Sequence, residues 1–167
     1  HLSSGDGFTK MADGKLQYIF SFAEIPPNMP VTDIVAQYTG RAVSPAPTIE
    51  VRQWQELYLS LTNVGMIMRP DLFDAHSVHW HGFINAGSVF DGGPEVSPAA
   101  NMMATQPYYY LAAKEGTFFY HCHVEASEHM QMGMIGNLWV LPEQDLYPNQ
   151  IFPNGFEHTQ WDELTQT

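Results

Sequence analysis

Alternation of large apolar and polar residues predicts several short β-strands along the chain. At 16–22 every second side chain is large and apolar, which is typical of a half-buried strand because successive side chains point to opposite faces. A similar alternation runs through 49–61. Further strands are predicted at 76–83, 108–113 and 117–123, the last two separated by a turn that contains glycine.

The segments between these strands contain turn-forming residues and no long helical pattern. Residues 1–14 are rich in glycine, serine and aspartate and predict a flexible lead-in, whereas 87–100 predict a loop with many glycines and prolines. A short helical turn is predicted at 31–38, N-capped by Thr32 or Asp33. Many short strands joined by such turns favour an all-β fold of the β-sandwich type.

Length and composition narrow the choice of function. The 167 residues predict one domain, 1–167, whose last part, 143–167, forms a C-terminal extension without strand periodicity. A formal net charge of −12 excludes nucleic acid as an expected partner, since an acidic surface repels phosphate. No apolar run approaches the roughly 20 residues of a membrane-spanning helix. The single cysteine excludes an intrachain disulfide.

One stretch, 116–141, concentrates residues that bind soft metal ions. It contains the only cysteine, Cys122, with His129 and Met134 downstream. Aromatic residues before the cysteine and apolar residues after the methionine predict two buried strands joined by a loop. A thiolate, two imidazoles and a thioether form the ligand set of a blue-copper site. We therefore predict a copper site around Cys122.

Six of the eight histidines fall into two groups, and strand periodicity divides these into two sets. His76 lies three positions before His79, so it falls on the opposite face, toward which Cys122 is expected to point. The set predicted to converge inside the domain is His76, Cys122, His129 and Met134. The set predicted to line an outer surface, as a second candidate metal site, is His79, His81, His121 and His123.

A purely structural cysteine or a zinc site fits these residues less well than copper. A lone buried cysteine is usually a small hydrophobic residue, but Cys122 has histidine on both sides and a methionine downstream. A structural zinc site usually contains two or more cysteines, and this chain has one. The remaining methionines are interpreted as gap-filling residues. His1 is either the residue after a removed signal peptide or a tag remnant, and His158 is interpreted as an ordinary surface histidine.

The motifs HSVHWHGF (76–83) and HCHVEASEHMQMGM (121–134) resemble the copper-binding motifs of multicopper oxidases and copper nitrite reductases. The segments PTIEV (47–51) and GTFFYHCH (116–123) fit the same cupredoxin pattern, so the resemblance covers about 45–142. It implies an all-β, cupredoxin-like Greek-key β-sandwich with extended N- and C-terminal segments.

The resemblance also implies a role for each metal ligand. It assigns His76, Cys122 and His129 to a type 1 copper, with Met134 as the usual axial ligand. It assigns the second set to type 2 and type 3 copper, namely His79, His81, His121 and His123. Two features depart from the family pattern. The spacer VEASE (124–128) is longer than usual in the oxidases, and their multinuclear copper cluster takes histidines from two domains, whereas this chain carries one.

Two functions follow from this resemblance as expectations. The first is electron transfer by a secreted copper protein through a mononuclear type 1 site. The alternative is a multicopper oxidase, or an enzyme that converts nitrogen oxides, whose second copper site is completed across subunits. Copper storage or delivery is a third and weaker functional hypothesis.

The same resemblance implies partners and location. The expected partners are a redox protein or a small inorganic or organic reductant, and further copies of the chain, most often three in the related reductases. Together with the missing initiator methionine, the resemblance favours a secreted, periplasmic or other extracytoplasmic location.

Overall fold

The computed structural model describes residues 1–143, and the strands of this range form two β-sheets. The strands of this part of the chain are β1 (Leu2–Lys10), β2 (Leu16–Glu24), β3 (Ala46–Arg52), β4 (Glu56–Gly65), β5 (His79–His81), β6 (Thr105–Leu111), β7 (Gly116–His121) and β8 (Ile135–Leu141). The short helices are α1 (Val31–Tyr38), a 3₁₀ helix (Ser88–Phe90) and α2 (Ala126–Met132). Within 1–143 no helix is long and apolar enough to span a membrane. The predicted all-β fold is confirmed.

Each sheet contains four strands, and strands that are distant in sequence lie side by side. One sheet has the order β2–β1–β4–β6 and the other the order β3–β8–β7–β5. β1 pairs in parallel with β4, and β3 with β8, while the remaining neighbours are antiparallel. Long connections between neighbouring strands are typical of a Greek-key sandwich.

Aromatic side chains from both sheets fill a shared core beside the candidate site. Trp80 of β5 stacks on Tyr110 of β6, with ring centroids 3.8 Å apart. The Tyr110 hydroxyl donates to the carbonyl of Val78 at 3.1 Å, and the Val78 N–H donates to the Tyr108 hydroxyl at 3.2 Å. These bonds hold the segment between His76 and β5 against the opposite sheet.

The prediction of a flexible lead-in at 1–14 is wrong, because most of that segment forms strand β1. The first six residues of β1 are buried, although most of them are serine, glycine or aspartate. β1 lies between β2 and β4, so hydrogen bonds to both neighbours stabilise it in place of large apolar side chains. Small residues are needed there, since a Cβ at Gly5 would lie 2.7 Å from the Gly65 carbonyl oxygen.

Three further predictions differ from the structure in detail, and a fourth concerns residues that are almost all outside the described range. The helix at 31–38 is confirmed, but its N-cap is Pro30 and no side chain caps it. The strand predicted at 76–83 is reduced to β5, and His76 forms an isolated bridge with Ala100. The loop predicted after Cys122 contains helix α2. Apart from Glu143, the predicted C-terminal extension lies outside the described residues.

Candidate metal centre

Three separate segments supply the residues predicted to bind metal inside the domain. His76 lies before β5 and makes two backbone hydrogen bonds with Ala100, at 2.8 and 3.0 Å. Cys122 follows directly after β7. His129 lies within α2, and Met134 lies between α2 and β8. The bridge to Ala100 therefore fixes His76, the end of β7 positions Cys122, and helix α2 carries His129.

The structure brings the side chains of His76, Cys122 and His129 together. The Cys122 sulfur lies 3.4 Å from Nδ1 of His129 and 3.9 Å from Nδ1 of His76. The centroids of the two imidazole rings are 4.9 Å apart. One ligand atom from each residue lies within 4.8 Å of the others, which is close enough for all three to bind one metal ion. Strand periodicity predicts that His76 and Cys122 point to the same side, and the ligand chemistry of the loop adds His129.

This donor set fits a soft metal ion such as copper. All three side chains are fully buried. Burial lowers the pKa of His76 to about 3 and raises the pKa of the Cys122 thiol to about 11, so both groups are neutral near pH 7. Nε2 of His76 has no hydrogen-bond partner among the described residues. Since buried polar groups normally have partners, imidazoles gathered around a thiol in this way are consistent with a metal-binding role.

Ser77 supports the sulfur, a role that the sequence pattern did not indicate. Its N–H donates to the Cys122 sulfur at 3.4 Å, and its hydroxyl accepts the N–H of His123 at 3.1 Å. The thiol itself donates to the carbonyl of Val124 at 3.6 Å. Ser77 thus ties the segment of His76 to the end of β7, and its place directly after His76 is its only signal in the sequence.

Met134 is fully buried and belongs to the same core cluster as Cys122. Its N–H donates to the carbonyl of His129 at 2.9 Å, and its carbonyl accepts the N–H of Cys122 at 3.2 Å. The backbone of the predicted axial ligand is therefore fixed to the backbone of two other predicted ligands. Axial binding by its thioether stays a prediction.

Helix α2 explains how the longer spacer still delivers His129 to the site. The backbone at Glu125 is left-handed, with φ 46° and ψ 49°. The Glu125 carbonyl accepts the N–H groups of Glu128 and His129, both at 3.0 Å, as the helix begins. Gly133 ends the helix with φ 121°, a value that favours glycine. The additional residues of the spacer are thus accommodated in a helical turn.

Substitution of Glu125 tests this loop conformation. We expect Glu125→Val to lower the free energy of unfolding by about 1–2 kcal/mol, because a β-branched side chain is strained in a left-handed backbone. Glu125→Gly is expected to leave it unchanged or raise it slightly, since glycine adopts this conformation freely. Urea denaturation of the metal-free protein measures both. Equal destabilisation by valine and glycine would contradict the conformation described here.

The other four histidines of the two motifs form a second cluster. His79 of β5 pairs across the sheet with His121 of β7. The His79 ring centroid lies 5.2 Å from that of His121 and 5.0 Å from that of His123. Ligand atoms of His79, His81 and His121 lie within 4.8 Å of one another. These three histidines can therefore hold a metal ion, with His123 beside them.

Hydrogen bonds orient the rings of this cluster. Nδ1 of His79 lies 2.6 Å from the carbonyl oxygen of Asp91, and Nδ1 of His121 lies 2.9 Å from that of Cys122. When Nδ1 donates such a bond, Nε2 carries the lone pair that binds metal. Burial and the neighbouring imidazoles lower the pKa of His121. The role of Asp91 was not indicated by the sequence pattern.

The prediction that all four histidines line an outer surface is wrong for His121. This residue is only 3% exposed, because its ring stacks between those of Phe119 and His123, with centroids 5.6 and 5.7 Å away. His81 is exposed, and His79 and His123 are half-buried. The cluster therefore opens to the surface mainly through His81.

Curated relatives include plant oxidases that are much longer than this chain. A putative laccase-17 from Oryza sativa subsp. japonica is 29% identical over 113 residues, which are 65% of this chain and 18% of that protein. An L-ascorbate oxidase from Cucurbita pepo var. melopepo is 31% identical over 106 residues, 60% of this chain and 17% of that protein. The chain thus spans less than a fifth of the length of these relatives.

Solved structures share the fold. The blue copper oxidase from Nitrosomonas europaea aligns with a TM-score of 0.63 and 29% identity, over 85% of this chain and 38% of its own. A copper nitrite reductase from the same organism aligns with a TM-score of 0.57 and 20% identity, over 84% of this chain and 41% of its own. The predicted cupredoxin-like sandwich is confirmed.

The family assignment rests on a match across most of the chain. The family model described as multicopper oxidase matches residues 27–145, a range that includes both histidine-rich motifs. Proteins of this family use copper, and His76, Cys122 and His129 form a candidate copper-binding group. The chain belongs to the multicopper oxidase family.

Proposed function

We propose that this chain transfers single electrons through a mononuclear type 1 copper site. The proposed ligands are His76, Cys122, His129 and, in the axial position, Met134. The observation that carries the proposal is the convergence of one thiol and two imidazole Nδ1 atoms in a fully buried pocket. Copper bound by such a trigonal set exchanges one electron, at a potential tuned by the axial ligand.

The surrounding residues hold these ligands in fixed positions and exclude solvent from them. The backbone of His76 is fixed to Ala100, and the backbone of Met134 is fixed to Cys122 and His129. Ser77 donates its N–H to the Cys122 sulfur. Because the ligands are fixed to one another and shielded from water, their positions change little between oxidation states, which favours rapid electron transfer.

Reconstitution of the purified chain with copper tests this function. One copper per chain with an intense visible thiolate band and a reversible one-electron couple would support it. Copper bound without such a band would contradict it. Absorption spectroscopy, electron paramagnetic resonance and voltammetry measure these properties on the same sample.

Substitution of Met134 tests the axial ligand. We expect Met134→Leu to raise the reduction potential and shift the visible spectrum modestly, because loss of a thioether donor destabilises the oxidised metal site. Met66→Leu is the matched control, since Met66 is also buried in the same core, and it is expected to change neither property. An unchanged spectrum in Met134→Leu would show that the axial position is open or held by water, and azide titration would then detect the open position.

A second candidate function is favoured by the cluster of four histidines. Such a cluster supplies half of a multinuclear copper site, and we propose that a second copy of the chain supplies the rest. The assembly would be a multicopper oxidase or an enzyme converting nitrogen oxides, arranged as a homo-oligomer with a trimer as the expected form. Its proposed ligands are His79, His81, His121 and His123.

The remaining features of the proposal concern organisation and setting. We propose that residues 1–167 form one cupredoxin domain with a C-terminal extension at 143–167. The expected electron donors or acceptors are a redox partner protein or a small inorganic or organic reductant. A secreted or periplasmic location is proposed from the family resemblance.

A further inference from the structure

The two ring nitrogens of His129 face different groups. Nδ1 lies 3.4 Å from the Cys122 sulfur, so this is the nitrogen that would bind the metal ion. A neutral imidazole that binds metal through Nδ1 must carry its proton on Nε2. The position of that proton, and therefore the usefulness of His129 as a ligand, depends on what surrounds Nε2.

The group nearest to Nε2 is a carboxylate. Oδ2 of Asp74 lies 3.5 Å from Nε2 of His129. This distance is short enough for an ion pair, but the two atoms do not form a hydrogen bond. The His129 side chain is fully buried, and Nε2 makes no hydrogen bond to any group among the described residues. The Asp74 side chain is 18% exposed, so water screens its charge only partly. Asp74 is thus the available acceptor for the Nε2 proton.

Asn63 holds the backbone of Asp74 in this position. Its buried amide Nδ2 donates to the Asp74 carbonyl at 2.8 Å and to the Ala100 carbonyl at 2.9 Å. Ala100 in turn makes both backbone bonds to His76. One buried side chain therefore connects the segment of Asp74 with the segment of the first histidine ligand.

The other imidazole of the site lacks such an acceptor. Nε2 of His76 is buried, and no partner for it exists in the range 1–143. Of the two imidazoles, only that of His129 therefore faces the carboxylate, whose charge also contributes to the raised pKa of the Cys122 thiol. Partners of this kind set the tautomer and orientation of a metal-bound histidine and increase its strength as a donor.

We propose that Asp74 is a positioning residue for the copper ligand His129. It accepts the Nε2 proton, which fixes the tautomer that presents Nδ1 to the metal ion. Its negative charge also stabilises the oxidised site relative to the reduced site. This inference rests on the proposed type 1 copper function and adds a residue that the copper motifs do not contain.

Two variants of Asp74 distinguish the effect of its charge from its effect as a proton acceptor. In Asp74→Asn the amide oxygen can take the place of the carboxylate as acceptor for the Nε2 proton, so we expect an intact visible band and a higher reduction potential. In Asp74→Ala both properties are lost, so we expect the potential to rise and copper affinity to fall by about 10–100-fold. Voltammetry measures the potential, and competition with a chelator measures the affinity.

Asp71→Asn is the matched control. Asp71 lies on the same loop, is exposed, and pairs with Arg69 at 2.7 Å without contacting the site. Removing its charge is expected to change the potential much less than Asp74→Asn does. Circular dichroism and thermal unfolding of the metal-free variants report whether they fold. If Asp74→Ala does not fold, the reduction potential of Asp74→Asn alone tests the role of Asp74.

The outcomes distinguish this inference from the function on which it rests. A wild-type chain without a thiolate band would overturn the proposed function and this inference with it. A wild-type chain with the band, but with equal potentials in Asp74→Asn and Asp71→Asn, would overturn the role of Asp74 alone. Wild-type copper affinity in a folded Asp74→Ala variant would do the same.

Discussion

Replacing Cys122 with serine is expected to abolish the intense visible absorption of the copper-loaded protein. The band requires a thiolate bonded to copper, and a serine hydroxyl is too weak a ligand for a soft metal ion. Copper affinity is expected to fall further than the roughly 10–100-fold that follows loss of an outer hydrogen-bond partner. Absorption spectroscopy and competition with a chelator measure both effects.

The environment of Cys122 allows this variant to fold. The sulfur accepts the N–H of Ser77 and donates to the carbonyl of Val124, and a serine hydroxyl can make both contacts. Circular dichroism of the metal-free protein checks the fold. Met66→Leu is the control for removing a sulfur atom from another position in the core. A folded Cys122→Ser protein that keeps an intense visible band would refute the ligand assignment.

Removing His79 and His81 together is expected to eliminate all copper beyond the type 1 ion, and any oxygen consumption. The two residues supply two of the three clustered ligand atoms of the second site. The thiolate band is expected to persist, because Cys122 and its partners form a separate group of ligands. Metal analysis and oxygen uptake, both on the intact assembly, measure the losses.

Two controls complete this experiment. Asn137→Ala changes the cross-strand neighbour of Phe119 on the same sheet without removing an imidazole, so copper content is expected to stay unchanged. Cys122→Ser is the reciprocal variant and should keep the second-site metal. A wild-type assembly with one copper per chain, no oxygen uptake and no loss in the double variant would reject the oxidase and leave the electron-transfer function.

The division of the histidines between two sites was predictable from the amino-acid sequence alone. Neighbouring side chains of an extended chain point to opposite faces, so Cys122 was expected to separate from His121, and His76 from His79. The structure shows the two resulting groups of ligand atoms. The separation of Cys122 from its two flanking histidines depends only on the geometry of a single extended chain, whereas metal binding by either group stays a prediction.

Features that depend on distant segments became visible only in the folded protein. β1 has no strand pattern of its own and forms because β2 and β4 flank it. Asp74 meets His129 because Asn63 fixes one loop while α2 carries the other residue. The spacing of residues in the chain encodes which face a side chain takes within a strand. It does not encode which loops meet, because that depends on how two sheets and their connections pack together.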